Sequence, residues 1–372
     1  MKSEIDMPQP NIKDLSSREL ESWLTTLREP PYRVAQIHKW LFQKGVVSFA
    51  EMTNLSGGLR SALEEAYSIS RLKTIRRSSS LDGTVKFLFG LADGLGIESV
   101  LIAETKRLTL CISTQAGCGF GCAFCATALM GLMRSLSASE IVDQVSEARR
   151  WLSAERRITH VVLMGMGEPL ANYNQTLEAV RIMSDADWGI GISPRRITLS
   201  TVGLVPQMIR LMEESSVNLA ISLHATTDEL RSQLMPVNRK YPLEKLLDCC
   251  RSLPLPKRRR ITFEYVMLRG INHSAEDARR LSRLLTGIRS KINLIPFNPH
   301  PGSPFQRPAP EEIMQFQKAL SARGHQVNVR EPRGDDIQAA CGQLSGANGE
   351  RVRGEVLGVR GTPDPSLLTS HP

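Results

Sequence analysis

Three cysteines lie within eight residues, in the run Cys118-Gly-Phe-Gly-Cys122-Ala-Phe-Cys125. Thiolates are soft ligands, and three of them in one tight loop suit an iron–sulfur cluster. A four-iron cluster needs four ligands, so three cysteines leave one iron open. Glycines at 117, 119 and 121 let the backbone fold closely around an inorganic group. A zinc site and three unrelated core cysteines are the competing readings. Zinc takes paired Cys-x-x-Cys or Cys/His sets, and no fourth ligand stands out here. The chain has seven cysteines, the others being Cys111, Cys249, Cys250 and Cys341. An odd number with this clustering points to metal or redox chemistry rather than a disulfide scaffold. Cys249 and Cys250 fall in an apolar helical stretch and read as packing residues.

A strand–loop–helix rhythm surrounds this loop. Strands are expected at Leu108–Ser113, His160–Leu163, Arg196–Ser200, Asn218–Leu223, Ile261–Met267 and Lys291–Ile295. Helical stretches such as Ala138–Leu152 and Ala275–Leu285 separate them, which predicts parallel strands with crossover helices. The expected class is α/β, an incomplete (β/α)6 barrel; a doubly wound sheet fits the same pattern. In the first strand, alternation puts Leu108, Leu110 and Ile112 on one face and Cys111 on the other, which in a barrel can face the lumen. Read alone, Cys111 is a small apolar strand residue.

The N-terminal part reads as small helices. Ser16-x-x-Glu19 is a capping box, followed by Leu20, Trp23, Leu24 and Leu27 on one face. Pro30-Pro31 ends that helix. Val34, Ile37 and Leu41 mark the next, and Leu59 and Leu63 a third. A hairpin is expected from Val85 to Ala103, turning near Asp93-Gly94. The domain reading is therefore residues 1–84 as a helical accessory domain, 85–107 as a hairpin leading into the core, 108–345 as the barrel and 346–372 as a loose tail.

With 41% apolar and 23% charged residues, the composition is that of a globular protein. No apolar run reaches the roughly 20 residues of a membrane helix. Met1–Asp14 has neither a signal-peptide core nor an Arg-rich transit pattern, so a cytoplasmic protein without a membrane partner is expected. The formal charge is +9, with basic clusters at Arg76-Arg77, Arg149-Arg150, Arg156-Arg157, Arg195-Arg196 and Lys257-Arg258-Arg259-Arg260. Each alone reads as a solvated face; their sum leans toward nucleic acid.

From Leu110 to Leu344 the sequence resembles the RlmN/Cfr family of radical S-adenosylmethionine (SAM) RNA methyltransferases. The resemblance is carried by Cys111-Ile-Ser-Thr-Gln-Ala-Gly-Cys118 and the cluster loop, Met164-Gly-Met-Gly-Glu-Pro169, Leu199-Ser-Thr-Val-Gly203 and Ile221-Ser-Leu-His-Ala225. Asn293-Leu-Ile-Pro-Phe-Asn-Pro299 and Arg333-Gly-Asp-Asp-Ile-Gln-Ala-Ala-Cys-Gly-Gln-Leu344 complete it, and the N-terminal helices look like the family's accessory domain. One branch methylates carbon 2 of adenine 2503 in 23S rRNA and adenine 37 of some tRNAs; the other methylates carbon 8 of the same ribosomal adenine. Met164–Pro169 and Pro296–Gly302 look like the carbon-2 branch, since the other tends to carry Ala after the glutamate.

The resemblance implies a 4Fe-4S cluster on Cys118, Cys122 and Cys125 with SAM on the open iron. It implies SAM contacts at Gly167, Glu168, Ser200, Ser222, Leu223, His224 and Asn298. Glu168 follows a strand end, where such folds bind ligands, and can accept from the SAM amino group. His224 also reads as a satisfied core histidine. The resemblance further implies that Cys341 takes a methyl from one SAM, that a 5′-deoxyadenosyl radical from a second removes a hydrogen from it, and that the resulting radical adds to adenine. Glu98 then removes a proton and Cys111 releases the product, leaving a Cys111–Cys341 disulfide. Small neighbours, Ala339, Ala340 and Gly342, favour close approach to Cys341. Glu98 by itself would read as solvent-facing. The target base must be unpaired or extruded. The implied partners are 23S rRNA, tRNA and an electron donor of flavodoxin or ferredoxin type, with the chain a monomer. A non-catalytic RNA-binding protein with a structural metal site is the alternative from another class.

Overall fold

The computed structural model describes residues 9–105 and 107–346. The expected tail, residues 346–372, lies outside them from 347 onward. The capping box at Ser16 and Glu19 forms and starts α1 (Ser17–Thr26), whose Leu20 and Leu24 are buried. Leu27, expected on the same face, is 41% exposed because the helix has already ended there. Helices α2 (Tyr32–His38) and α3 (Gly57–Ala66) follow, with Ile37, Leu59 and Leu63 inward.

The expected hairpin is present as β2 (Val85–Gly90) and β3 (Gly96–Glu104). A strand that the sequence reading placed among helices precedes it: β1 (Lys73–Ser79) pairs antiparallel with β2. Its sequence, Lys-Thr-Ile-Arg-Arg-Ser-Ser, buries no side chain fully. It is a charged edge strand, a type that carries no hydrophobic alternation to read.

Then come β4 (Arg107–Cys111), β5 (Gln115–Gly117), α4 (Ala126–Leu129), β6 (Leu132–Ser135), α5 (Ala138–Trp151), β7 (His160–Leu163) and α6 (Tyr173–Ser184). The chain continues through β8 (Ile197–Thr201), α7 (Val205–Glu214), β9 (Asn218–Ser222), α8 (Asp228–Leu234), α9 (Leu243–Ser252) and β10 (Ile261–Met267). It ends in α10 (Ala275–Leu284), β11 (Ser290–Pro296), α11 (Pro310–Ser321) and β12 (Val327–Val329). The main sheet runs β1-β2-β3-β4-β7-β8-β9-β10-β11-β12, and β5 pairs only with β6. From β4 onward every neighbouring pair is parallel. All six expected strands are present, each with its crossover helix or helices. The short β12 was missed because three residues are too few for a periodic signal.

The core strands alternate apolar residues with polar ones, and β10 buries all seven of its residues. Such burial is the pattern of parallel strands covered on both faces. The inward residues Thr109 of β4, Thr198 of β8, Glu264 of β10 and Asn293 of β11 border one internal space of about 570 Å³. The sheet therefore curls into an open barrel around a polar lumen.

Candidate active site

Cys118, Cys122 and Cys125 sit in the loop between β5 and α4, beyond the C-terminal end of β4. The loop closes tightly at its base. Cys118 N–H donates to the Gly131 carbonyl at 2.8 Å. Gly117 has φ +78°, and a Cβ there would fall 1.9 Å from the Gly131 oxygen, so only glycine fits. The three thiols border a cavity of about 170 Å³. Among the described residues no three His, Cys, Asp or Glu side chains converge as a single metal ion requires. Burial pushes the Cys118 thiol up to about 11 and drives Cys122 and Cys125 upward too. Such thiols ionise when a metal takes the place of the proton. The donor set, three soft sulfurs around one cavity, fits an iron–sulfur cluster.

The ends of β7, β8 and β9 wall the same cavity. Gly167, Glu168, Ser200, Ser222 and His224 border it. Gly167 has φ +97°, and a Cβ would meet Gln115 at 2.5 Å. Glu168 is buried and spends its oxygens on two backbone amides, Leu170 N–H at 3.0 Å and Val202 N–H at 2.8 Å. Burial raises its carboxyl to about 7 against the pull of those amides. His224 has φ +60°, rare for a residue with a Cβ. Its Nδ1 accepts from Val266 N–H at 3.0 Å, and burial with Arg231 nearby lowers its pKa to about 3. The ring is neutral, and its proton is on Nε2. Leu223 is fully buried, away from the cavity wall, and only its main chain is engaged: its N–H donates to the Glu264 carbonyl at 3.0 Å. Asn298 borders the lumen instead, and its Nδ2 donates to the Cys341 carbonyl at 3.1 Å.

Cys341 borders both the cysteine-loop cavity and the lumen. It lies far along the chain from Cys111 and Cys125, yet its charge acts on both. Cys111 ends β4 two residues after Thr109, which borders the lumen, but Cys111 itself is buried and borders neither cavity. Burial, with Cys341 adding to it, pushes its thiol up to about 12. Both are free thiols, so the expected Cys111–Cys341 disulfide is not formed in this structure.

Glu98 corrects the expectation of a solvent-facing residue: it is 2% exposed. It lies 3.0 Å from Lys86 Nζ, and its other oxygen accepts from Ser345 N–H at 2.8 Å and Gly346 N–H at 3.1 Å. Lys86 also donates to the Gln338 carbonyl at 3.1 Å. The pair clamps both ends of the segment that carries Cys341, and Glu98 borders neither cavity.

Two arginines were missed by sequence reasoning. Arg231 is fully buried and donates to the carbonyls of Val202, Ser222 and Leu223 and to Asn238 Oδ1. It fixes the loops after β8 and β9 around the cavity. Arg330, just after β12, is half-buried, and its pKa is raised chiefly by Cys341, with Glu264 and Cys111 adding. Only the folded chain reveals these partners; neither residue stands in a motif. Of the basic clusters, Lys257–Arg260 with Arg289 and Arg323 line a cleft of about 770 Å³ beside the starts of β10 and β11. Arg259 and Arg260 are already engaged there, with the Ser216 carbonyl and Gln326.

The comparisons with known proteins agree with this architecture. A family model described as the radical SAM superfamily matches residues 112–281, and one described as the ribosomal RNA large subunit methyltransferase N-terminal domain matches 10–69. The chain is 50% identical over 333 residues to the dual-specificity RNA methyltransferase RlmN of Syntrophobacter fumaroxidans, covering 90% of this chain and 97% of that one. It is 52% identical over 336 residues to the protein of that name from Geobacter sulfurreducens, covering 90% and 92%. A crystal structure of a radical SAM methyltransferase from Sphaerobacter thermophilus superimposes with a TM-score of 0.83 at 44% identity, over 90% of this chain and 99% of that one. With its cysteine loop, open barrel and N-terminal helices all matched, the chain belongs to the RlmN family of radical SAM RNA methyltransferases.

Proposed function

We propose that this chain methylates carbon 2 of adenine in RNA, at adenine 2503 of 23S rRNA and adenine 37 of tRNAs, using two SAM per turnover. The observation that carries this reading is the place of Cys341, one thiol shared by the cysteine-loop cavity and the polar lumen. Carbon 2 lies between two ring nitrogens and bears no lone pair, so it cannot itself attack a methyl sulfonium. A cysteine thiolate can. Cys341 is exposed, and Arg330 borders the same two spaces.

Cys118, Cys122 and Cys125 would hold a 4Fe-4S cluster, which together with SAM would supply a 5′-deoxyadenosyl radical. Glu168, the Gly167 backbone, Ser200, Ser222 and the His224 Nε2–H hold SAM from the cavity wall, and Leu223 and Asn298 support them from behind and below. Cys341 carries the methyl and then the covalent link to the base. Cys111, after losing its proton, attacks the Cys341 sulfur; the sulfur–methylene bond breaks, its electron pair leaves on the carbon attached to the base, that carbon takes a proton to become the methyl group, and the Cys111–Cys341 disulfide remains for an outside reductant. Glu98 takes the carbon-2 proton. In this structure its carboxylate holds Ser345 and Gly346, so that step follows a shift of the Cys341 segment. The helical N-terminal part, the hairpin and the barrel act as successive units of the 1–84, 85–107 and 108–345 division. The chain works in the cytoplasm, as a monomer, with an electron donor of flavodoxin or ferredoxin type.

Mass spectrometry of RNA from a strain lacking this protein tests the reading. 2-Methyladenosine disappears at both positions and returns on complementation. Loss of 8-methyladenosine instead identifies the carbon-8 reaction, and unchanged RNA rejects both. An RNA-binding protein with a structural metal would cleave no SAM.

A further inference from the structure

Five residues border both the cysteine-loop cavity and the lumen: Met164, Glu264, Ile295, Arg330 and Cys341. They form the waist where the two spaces meet. Cys341 is the methyl carrier in the reading above, so the target base must reach this waist. Met164 and Ile295 offer apolar surface to a flat ring. Glu264 has no role in that reading.

Glu264 is 3% exposed, in the middle of β10. Its Oε1 accepts from Asn293 Nδ2 at 2.9 Å, and its Oε2 is buried without a partner among the described residues. A buried acceptor left unpaired is costly, and one at a ligand cavity points to a donor that arrives with the ligand. Of the residues assigned to SAM, Gly167, Glu168, Ser200, Ser222 and His224 border only the cysteine-loop cavity, whereas Asn298 borders the lumen. On its other side Glu264 faces a lumen lined by Arg107, Arg196, Lys291 and Arg333, cations suited to RNA phosphates. Enzymes that work on an extruded base read it through hydrogen bonds to its edge.

We propose that the free carboxylate oxygen of Glu264 accepts a hydrogen bond from the 6-amino group of the target adenine, making Glu264 a specificity-determining residue for the base. This rests on the RNA-adenine reading above. SAM also carries amines and must reach Cys341, but five of its assigned contacts border only the cysteine-loop cavity, whereas Glu264 also borders the cation-lined lumen through which RNA would enter.

The test compares RNA carrying adenine at the target position with RNA carrying purine there, which keeps carbon 2 and lacks the amine. For the wild-type holoenzyme, kcat/KM should favour adenine by at least about tenfold, since a site built to bond an N–H rejects the analogue lacking it. Glu264→Leu should bring the ratio to about one. Glu264→Gln, which keeps the shape and one acceptor oxygen, should fall between the two and covers the case where Glu264→Leu does not fold. A wild-type preference that persists in Glu264→Gln and Glu264→Leu overturns the proposal. So does a raised KM for SAM with the base preference intact, which would turn the oxygen toward SAM. If the wild type methylates neither RNA, the reading of the function fails instead.

Discussion

Two regions of this molecule bury a carboxylate, and they treat it in opposite ways. Where the N-terminal segment meets α5, Lys13 Nζ lies 2.8 and 2.9 Å from the two oxygens of Asp143 and also donates to the Ser70 carbonyl at 2.8 Å. Both side chains are 4% exposed, and both carboxylate oxygens are used. In the barrel waist Glu264 keeps one oxygen unpartnered, and Asn298 Oδ1 beside Cys341 is likewise buried and unpartnered. The seam is closed polar structure, satisfied within the chain. The waist is open polar structure, with bonding capacity kept for what enters. Between these two carboxylates, completeness of hydrogen bonding rather than burial marks the one kept for a ligand; Glu98 and Glu168 engage both oxygens with the chain, so the contrast belongs to the seam and the waist alone.

The largest break in this comparison comes from the cysteine loop. The triple change Cys118→Ala, Cys122→Ala, Cys125→Ala should abolish iron content and SAM cleavage altogether. The melting temperature of the metal-free protein should fall only modestly, because the three side chains border a cavity although Cys122 also packs in the core. Iron retained after anaerobic reconstitution would contradict the ligand assignment. The separated cysteine pair comes next. Cys341→Ala should form no covalent RNA adduct. Cys111→Ala should accumulate one, as nuclease-sensitive material that co-purifies with the protein. Normal turnover by Cys111→Ala, with product and no adduct, would make Cys111 a packing residue.

At the seam the effect passes from chemistry to stability. Lys13→Met leaves Asp143 buried without its cation and should cost about 3–5 kcal/mol, read as a shift in the denaturant midpoint. The double change Lys13→Met, Asp143→Leu should recover that loss, because replacing a buried ion pair by apolar residues is often neutral or stabilising. If the double variant is no better than the single one, the seam depends on the pair itself. Modification chemistry at Cys341 should be unaffected in all of these.

The sequence made the barrel legible where its strands carry alternating apolar residues and its helices carry caps. Ser137 and Glu140 form the box that starts α5, and Ser274 with Asp277 forms the one that starts α10. The cysteine loop was legible because its ligands are neighbours in sequence. Glu98 was misjudged because its burial comes from the Cys341 segment folding over it, more than two hundred residues later in the chain. Arg231, Arg330 and Glu264 escaped notice for the same reason. Each looks like an ordinary charged residue until strands and loops distant in sequence surround it. Local patterns determine elements, whereas the waist is assembled from β7, β10, β11, the turn after β12 and the C-terminal segment.

The smallest effect sharpens the comparison through pH. Burial raises the Asp143 carboxyl from 3.8 to about 6, while the Lys13 charge pulls it down. A raised folded-state pKa means that the folded protein holds this proton more tightly than the unfolded chain does. The associated stability is fully present below pH 3.8 and is lost as pH rises through about 6. Asp143→Asn mimics the protonated group in shape and cannot ionise. Relative to that variant, wild-type protein should therefore be more stable at pH 4 than at pH 7, with the difference changing by up to ~1.4 kcal/mol per pH unit inside this window. Urea melts of the two proteins at several pH values measure it directly. A difference that is flat across the window would mean that Lys13 fully offsets the cost of burying the charge, and the seam would then be a stabilising ion pair rather than a satisfied but neutral one.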